Sequence, residues 1–217
     1  MGIVRNLKLP NTVQIPVKKN GLLRLWHWLN AVLIFSTLGI VLINFTVLNP
    51  LKTQTVLLTK LKALGITVNS DSLRQITELF SDRLWVIHAY IGFGIASLYL
   101  FRILIDFRLP KYERMFFRLS QLLQFKTVKN QLFGALFLIL FYLLIFILVV
   151  TGLSMPLQHY IPGLEGNIPM LSLILKIHGT CMYFLVGFII IHLFFVLKAE
   201  LGGFPGVISN MVNGGKK

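Results

Sequence analysis

Four histidines lie inside stretches that otherwise read as lipid-spanning helices: His27, His88, His178 and His192. An ionisable side chain is costly in hydrocarbon and marks a working site by default. His178 and His192 share one apolar stretch and stand fourteen residues apart. At roughly 100° per residue that spacing leaves an angular offset of about 40°, and at ~1.5 Å rise it separates the imidazoles by about 21 Å. One helix therefore presents two imidazoles on nearly one side, one toward each membrane surface. Two further helices present one each. No carboxylate lies within any of these stretches; Asp106 stands at the end of one.

The elements that must position these groups follow from composition and length. The chain of 217 residues is 56% hydrophobic and only 13% charged, with a mean hydropathy of +0.78. A soluble domain of this size carries far more charge, so the composition predicts a single-domain integral membrane protein over 1–217. Four segments meet the ~20-residue length needed to cross the hydrocarbon core: 22–45, 84–105, 132–154 and 172–197. The predicted fold is an all-α bundle of four transmembrane helices. The first stretch is long enough to span, so it reads as an uncleaved first helix rather than a signal core. The connection 46–83 is long; helical spacing over 51–64, and Ser70 or Asp71 as a cap for a second short helix through Phe80, predict amphipathic outer helices. Pro50 is expected to close the region after the first span.

Charge sets the orientation. Fifteen of the 21 Lys and Arg fall in the first 24 residues, in the connection between spans two and three or just inside it, and in the tail; six fall on the opposite side. The positive-inside rule places both termini in the cytoplasm and 46–83 in the periplasm. The net charge of +14 then reads as a membrane-flanking excess facing an anionic leaflet, not as a nucleic-acid surface. The lone Cys181 excludes an intrachain disulfide, paired-cysteine haem attachment and a cysteine-ligated iron–sulfur cluster.

With that topology, depth pairs the histidines. His27 and His192 each lie about five residues from the inner ends of their spans, and His88 and His178 lie about five to six from the outer ends. The pairs are His27 with His192 and His88 with His178; span four is common to both, and span three supplies no ligand. Two facing imidazoles at each of two depths suit bis-histidine haem, whose apolar macrocycle fills the gap between helices. A bare zinc or copper ion wants three or four ligands, usually with Cys, Asp or Glu. A single intramembrane histidine is as readily a helix–helix hydrogen-bonding residue, but four at matched depths make that reading the weaker one. His159, between Gln158 and Tyr160, reads as an ordinary loop residue. Arg24 shares a helix face with His27 and is a candidate partner for a haem propionate, as is Arg83 (or Lys176) on the outer side. Each serves equally well as an interfacial anchor. Gly92, Gly94, Gly179 and Gly187 would let a porphyrin, or another helix, approach closely.

Several motifs resemble the bacterial di-haem cytochrome b561 family, which includes the b-type cytochrome subunits of nickel–iron hydrogenase, formate dehydrogenase and thiosulfate reductase, and small stand-alone proteins. They are Arg24-Leu-Trp-His27-Trp-Leu-Asn30, His88 at the start of span two, Thr151-Gly152 ending span three, and His178 with His192 at the family's spacing. A glycine-rich tail from Gly202 through Gly206 to Gly215 completes the pattern. The resemblance implies two haem b groups held by the four histidines, and electron transfer in the bacterial inner membrane between a quinone pool and a redox partner. It further implies a periplasmic iron–sulfur or catalytic subunit as partner, and quinone near the inner haem, with Asn130 and Gln131 as candidate polar neighbours. Three functions compete: the membrane-anchor subunit of a respiratory oxidoreductase, a stand-alone quinone oxidoreductase acting on a small reactant such as superoxide, and a non-redox membrane protein with structural histidines. The long outer connection favours the first over the second.

Overall fold

The structure, a computed structural model, describes residues 20–108, 114, 129–202 and 206–214; for 50, 51, 129–133 and 135 it describes the backbone alone. Most of the basic residues behind the orientation argument, and the side chains of Asn130 and Gln131, lie outside the described set. The described residues form helices α1 (Gly21–Thr46), α2 (Pro50–Ala63), α3 (Ser70–Asp106), α4 (Lys129–Ser154), α5 (Ile168–Gly202) and α6 (Val207–Val212), with one 3₁₀ turn at Gln158–Tyr160. No strand is present among them. Four helices, α1, α3, α4 and α5, are long and apolar enough to cross a membrane. The fold is a four-helix transmembrane bundle.

Local chemistry explains where the helices begin. Asn20, Asn49 and Asn69 precede α1, α2 and α3, and each side chain accepts a hydrogen bond from a backbone N–H of the first turn. Pro50 does not close a region as expected; it opens α2 at the first helical position, where its missing N–H is no loss. Pro169 sits likewise in the first turn of α5. The cap of α3 is Asn69, not Ser70 or Asp71.

The second span and the short outer helix expected before it are one continuous helix of 37 residues. The change of hydropathy at Ser81-Asp82-Arg83 marks a change of environment, but nothing there interrupts the backbone ladder. At 1.5 Å per residue α3 is about 55 Å long, against a hydrocarbon core of ~30 Å, so its first turns stand outside the membrane. There α2 packs against it, Leu73 is buried, and Gln54 Nε2 donates to Thr77 Oγ1 at 3.3 Å.

Within the bundle α1 packs on α3, α3 on α4 and α4 on α5, whereas α5 makes no comparably close approach to α1 or α3. The interhelical gap therefore lies between α5 and the two helices that carry His27 and His88. Ile34, Ile145 and Leu185 close that gap at mid-height, with Leu38, Ile95, Phe141 and Ile189 packed around them. Most other large apolar side chains face outward, including Val32, Leu42, Leu104 and Ile190. In lipid that exposure carries no penalty, because the hydrocarbon tails are as apolar as the side chains that meet them.

Candidate functional site

The four intramembrane histidines meet in two pairs across this gap. The ring centres of His27 and His192 are 6.2 Å apart with the planes at 63°. Those of His88 and His178 are 6.3 Å apart at 79°. A metal bonded at roughly 2 Å to one nitrogen of each ring, with about 1.1 Å from nitrogen to ring centre, calls for a separation of about 6.2 Å. Direct hydrogen bonding would draw two imidazoles closer, and no hydrogen bond joins either described pair. Among the described residues there is no cluster of three or more His, Cys, Asp or Glu. Each site thus offers two nitrogens and no more, which fits an iron whose other positions a porphyrin fills.

The His88–His178 pair, the outer one in the orientation expected from charge, opens onto a cavity of about 380 Å³, lined by apolar residues of all four spans, among them Ile34, Val41, Ile145, Leu148 and Leu185. That volume lies in the ~300–1,000 Å³ range of cofactor pockets. Gly92 and Gly179 line it, and a Cβ at either would meet nothing within 4 Å, so they leave open space beside the imidazoles. The His27–His192 pair, the inner one in that expected orientation, is walled by aromatic rings: Phe137 and Phe188 stack at 4.1 Å, and both lie nearly parallel to the His192 ring at 6.3 Å.

Of the accessory residues, Arg24 donates through Nη1 to the Val212 carbonyl at 3.2 Å, while its Nε is buried without a hydrogen bond. Beside it Trp28 Nε1 donates to the Met211 carbonyl at 3.0 Å. The tail helix α6 is thereby fastened to the N-terminal end of α1, within a turn of His27. Its own start is held by Glu200, whose carboxylate accepts from the N–H groups of Gly206 and Ile208 at 2.9 and 3.0 Å. Gly206 has φ +98°, which favours glycine. Arg83 and Lys176 are exposed and do not line the outer cavity. His159 pairs with Glu165 at the surface at 2.8 Å, apart from either histidine pair.

Two features escaped sequence reasoning. The first is a buried polar cluster against the back of α1. Arg102 donates to Asp106 and to the Tyr142 hydroxyl, both at 2.9 Å, and its guanidinium lies 5.8 Å from the centre of the Trp26 ring. Trp26 donates to the Leu98 carbonyl at 2.8 Å. The i,i+4 spacing of Arg102 and Asp106 was the available signal; the Tyr142 contact, from α4, had none. The second is the role of α4 at the outer pair. Thr151 Oγ1 lies 3.0 Å from His178 Nδ1, and a Cβ on Gly152 would come within 2.9 Å of His178 Cε1. Span three supplies no imidazole, yet it shapes the seat of one.

The family model of prokaryotic cytochrome b561 matches residues 19–214, nearly the whole chain and all four histidines. No curated protein and no solved structure matches it. With four helices able to cross the membrane and a match of that extent, the chain belongs to the prokaryotic cytochrome b561 family, haem b membrane electron carriers of the bacterial inner membrane.

Proposed function

We propose that the protein is a di-haem cytochrome that carries electrons across the inner membrane between the quinone pool and a redox partner, as the membrane-anchor subunit of a respiratory oxidoreductase. The observation that carries this reading is the two imidazole couples, 6.2 and 6.3 Å between ring centres, strung along α5 and completed by α1 and by α3. In it, His27 and His192 hold the inner haem, and His88 and His178 the outer one. Bound haem b supplies the one-electron couple of its iron.

The chain supplies the rest. Imidazoles on α1 and α3 face imidazoles on α5, and each facing couple would hold one haem. Ile34, Ile145 and Leu185 form the apolar floor between the two sites and keep water from the path. Arg24, with its buried Nε, is the partner offered to an inner propionate, and Arg83, five residues before His88, the one offered to an outer propionate. The quinone headgroup sits at the inner end, with Asn130 and Gln131 at the start of α4 as its polar neighbours. Both termini lie in the cytoplasm, following the excess of Lys and Arg on that side. The projecting start of α3, buttressed by α2, enlarges the periplasmic face and supports the docking of an iron–sulfur or catalytic subunit there.

The test is direct. Purified protein should show a Soret band, reduced α-band absorption and two haems per chain by pyridine haemochrome. His178→Ala should retain one haem, and His27→Ala the other. A colourless wild-type chain, or both haems retained in His178→Ala, would sink the reading. Gentle detergent extraction should bring an iron–sulfur subunit with the cytochrome; isolation of the chain alone would favour the stand-alone alternative.

A further inference from the structure

The outer histidines are not held alike. His178 Nδ1 faces α4, where Thr151 Oγ1 stands 3.0 Å away and the Leu148 backbone adjoins the ring. His88 Nδ1 is buried and makes no hydrogen bond of good geometry; its polar neighbour is the Thr37 backbone. The direction of the Thr151 contact follows from the hydroxyl's other bond. Thr151 Oγ1 is 2.6 Å from the Ile147 carbonyl and 3.4 Å from that of Leu148. A hydroxyl has one proton, and a carbonyl at 2.6 Å takes it. What Thr151 presents to His178 is therefore a lone pair, and Nδ1 must bring the proton. Thr151 is 9% exposed, so water does not compete for that bond. Gly152, the next residue, makes the approach feasible, because any Cβ there would strike His178 Cε1 at 2.9 Å.

We infer that Thr151 is a positioning residue for the outer haem: it fixes His178 as the Nδ1–H tautomer, aims Nε2 into the cavity and strengthens that nitrogen as a donor. This rests on the reading of His178 as an axial ligand. Outer partners of ligating histidines act in this way, orienting the ring and raising its basicity. A more basic axial ligand favours ferric over ferrous iron. Thr151 thus holds the outer haem at a lower potential than its unanchored ring would give, while the inner haem is untouched.

The experiment compares Thr151→Val, which keeps the shape and removes the hydroxyl, with Thr151→Ser, which restores it. In Thr151→Val the outer-haem midpoint should move positive, its affinity should fall by about tenfold or more, and its ferric low-spin resonance should shift as the ring turns. The inner haem should keep its potential. Thr151→Ser should match the unmodified protein. Unchanged outer potential and affinity in Thr151→Val would overturn the inference, as would equal shifts at both haems or a Thr151→Ser protein as altered as Thr151→Val. In haem-free protein labelled with ¹⁵N-histidine, the signal lost in His178→Gln should report the Nδ1–H tautomer, and in Thr151→Val a mixture. Loss of this tautomer preference in the unmodified protein would overturn the inference without reference to haem; absence of haem from the unmodified protein would instead overturn the ligand reading.

Discussion

Leu185 lies seven residues from His178 and seven from His192, and its side chain packs with that of Ile34, itself seven residues beyond His27. The apolar floor between the histidine couples is therefore set at mid-height by helix spacing alone. Leu185 is 5% exposed and Ile34 also 5%. Removing most of either side chain leaves a void that the surrounding rings of Phe141 and Tyr99 cannot fill without moving. Leu185→Ala should cost about 2–5 kcal/mol, the usual range for such truncations. Thermal unfolding in detergent would measure this as a lower midpoint.

The Arg102–Asp106 pair makes a different prediction. Both side chains are nearly closed off, at 5% and 2% exposure. Removing one partner leaves the other charge buried, which costs about 3–5 kcal/mol. Asp106→Asn and Arg102→Met should each lower stability by that order. The double variant Arg102→Met with Asp106→Leu should recover much of the loss, because well-packed apolar groups often replace a buried pair without penalty. A double variant less stable than both single ones would show that the charges themselves hold α3, α4 and Trp26 together.

These contrasts separate what was legible in the sequence from what was not. The spans were legible because lipid imposes length and apolarity on any crossing helix. The histidine pairs were legible because depth along a helix is a matter of counting. The continuity of α3 was not, since Ser81-Asp82-Arg83 records a change of solvent rather than a break in the backbone. The Arg102–Tyr142 and Thr151–His178 bonds were not, because each joins residues on different helices, 40 and 27 positions apart. Sequence periodicity locates the faces of each helix but not which side chains of two faces meet.

The tail should respond to pH. The apolar run of α5 ends at Leu197, and Glu200 lies beyond it. Backbone N–H donors of Ile208 and Gly206 hold its carboxyl below the ordinary carboxylate range. A group with a depressed folded value contributes its stabilisation above its ordinary pKa and loses it as pH falls through the depressed one. Docking of 206–214 on α1 should thus be complete at neutral pH and weaken in acid. Limited proteolysis of the C-terminal segment in detergent, at pH 7 and at progressively lower pH, would follow it. Glu200→Gln should expose the segment at pH 7 and flatten the dependence. Equal protection of the segment in Glu200→Gln and unmodified protein at pH 7 would show that the carboxylate does not fasten the tail.

Orientation has its own test, independent of haem. The cationic residues that flank α4 and the inner end of α3 outnumber those on the other face, and the connection from Met155 to Leu171 has no Lys or Arg at all. Positive flanks resist translocation, so a reporter fused after Lys217 should be active only in the cytoplasm. Exchanging the Lys residues of 108–129 for Gln should produce a fraction of inverted chains before it alters haem content, because the histidines lie deep in the helices and not in that connection. A periplasmic reporter on the unmodified chain would reverse the assignment of inner and outer sites. The couple of His88 and His178 would then face the cytoplasm, and the projecting start of α3 with it.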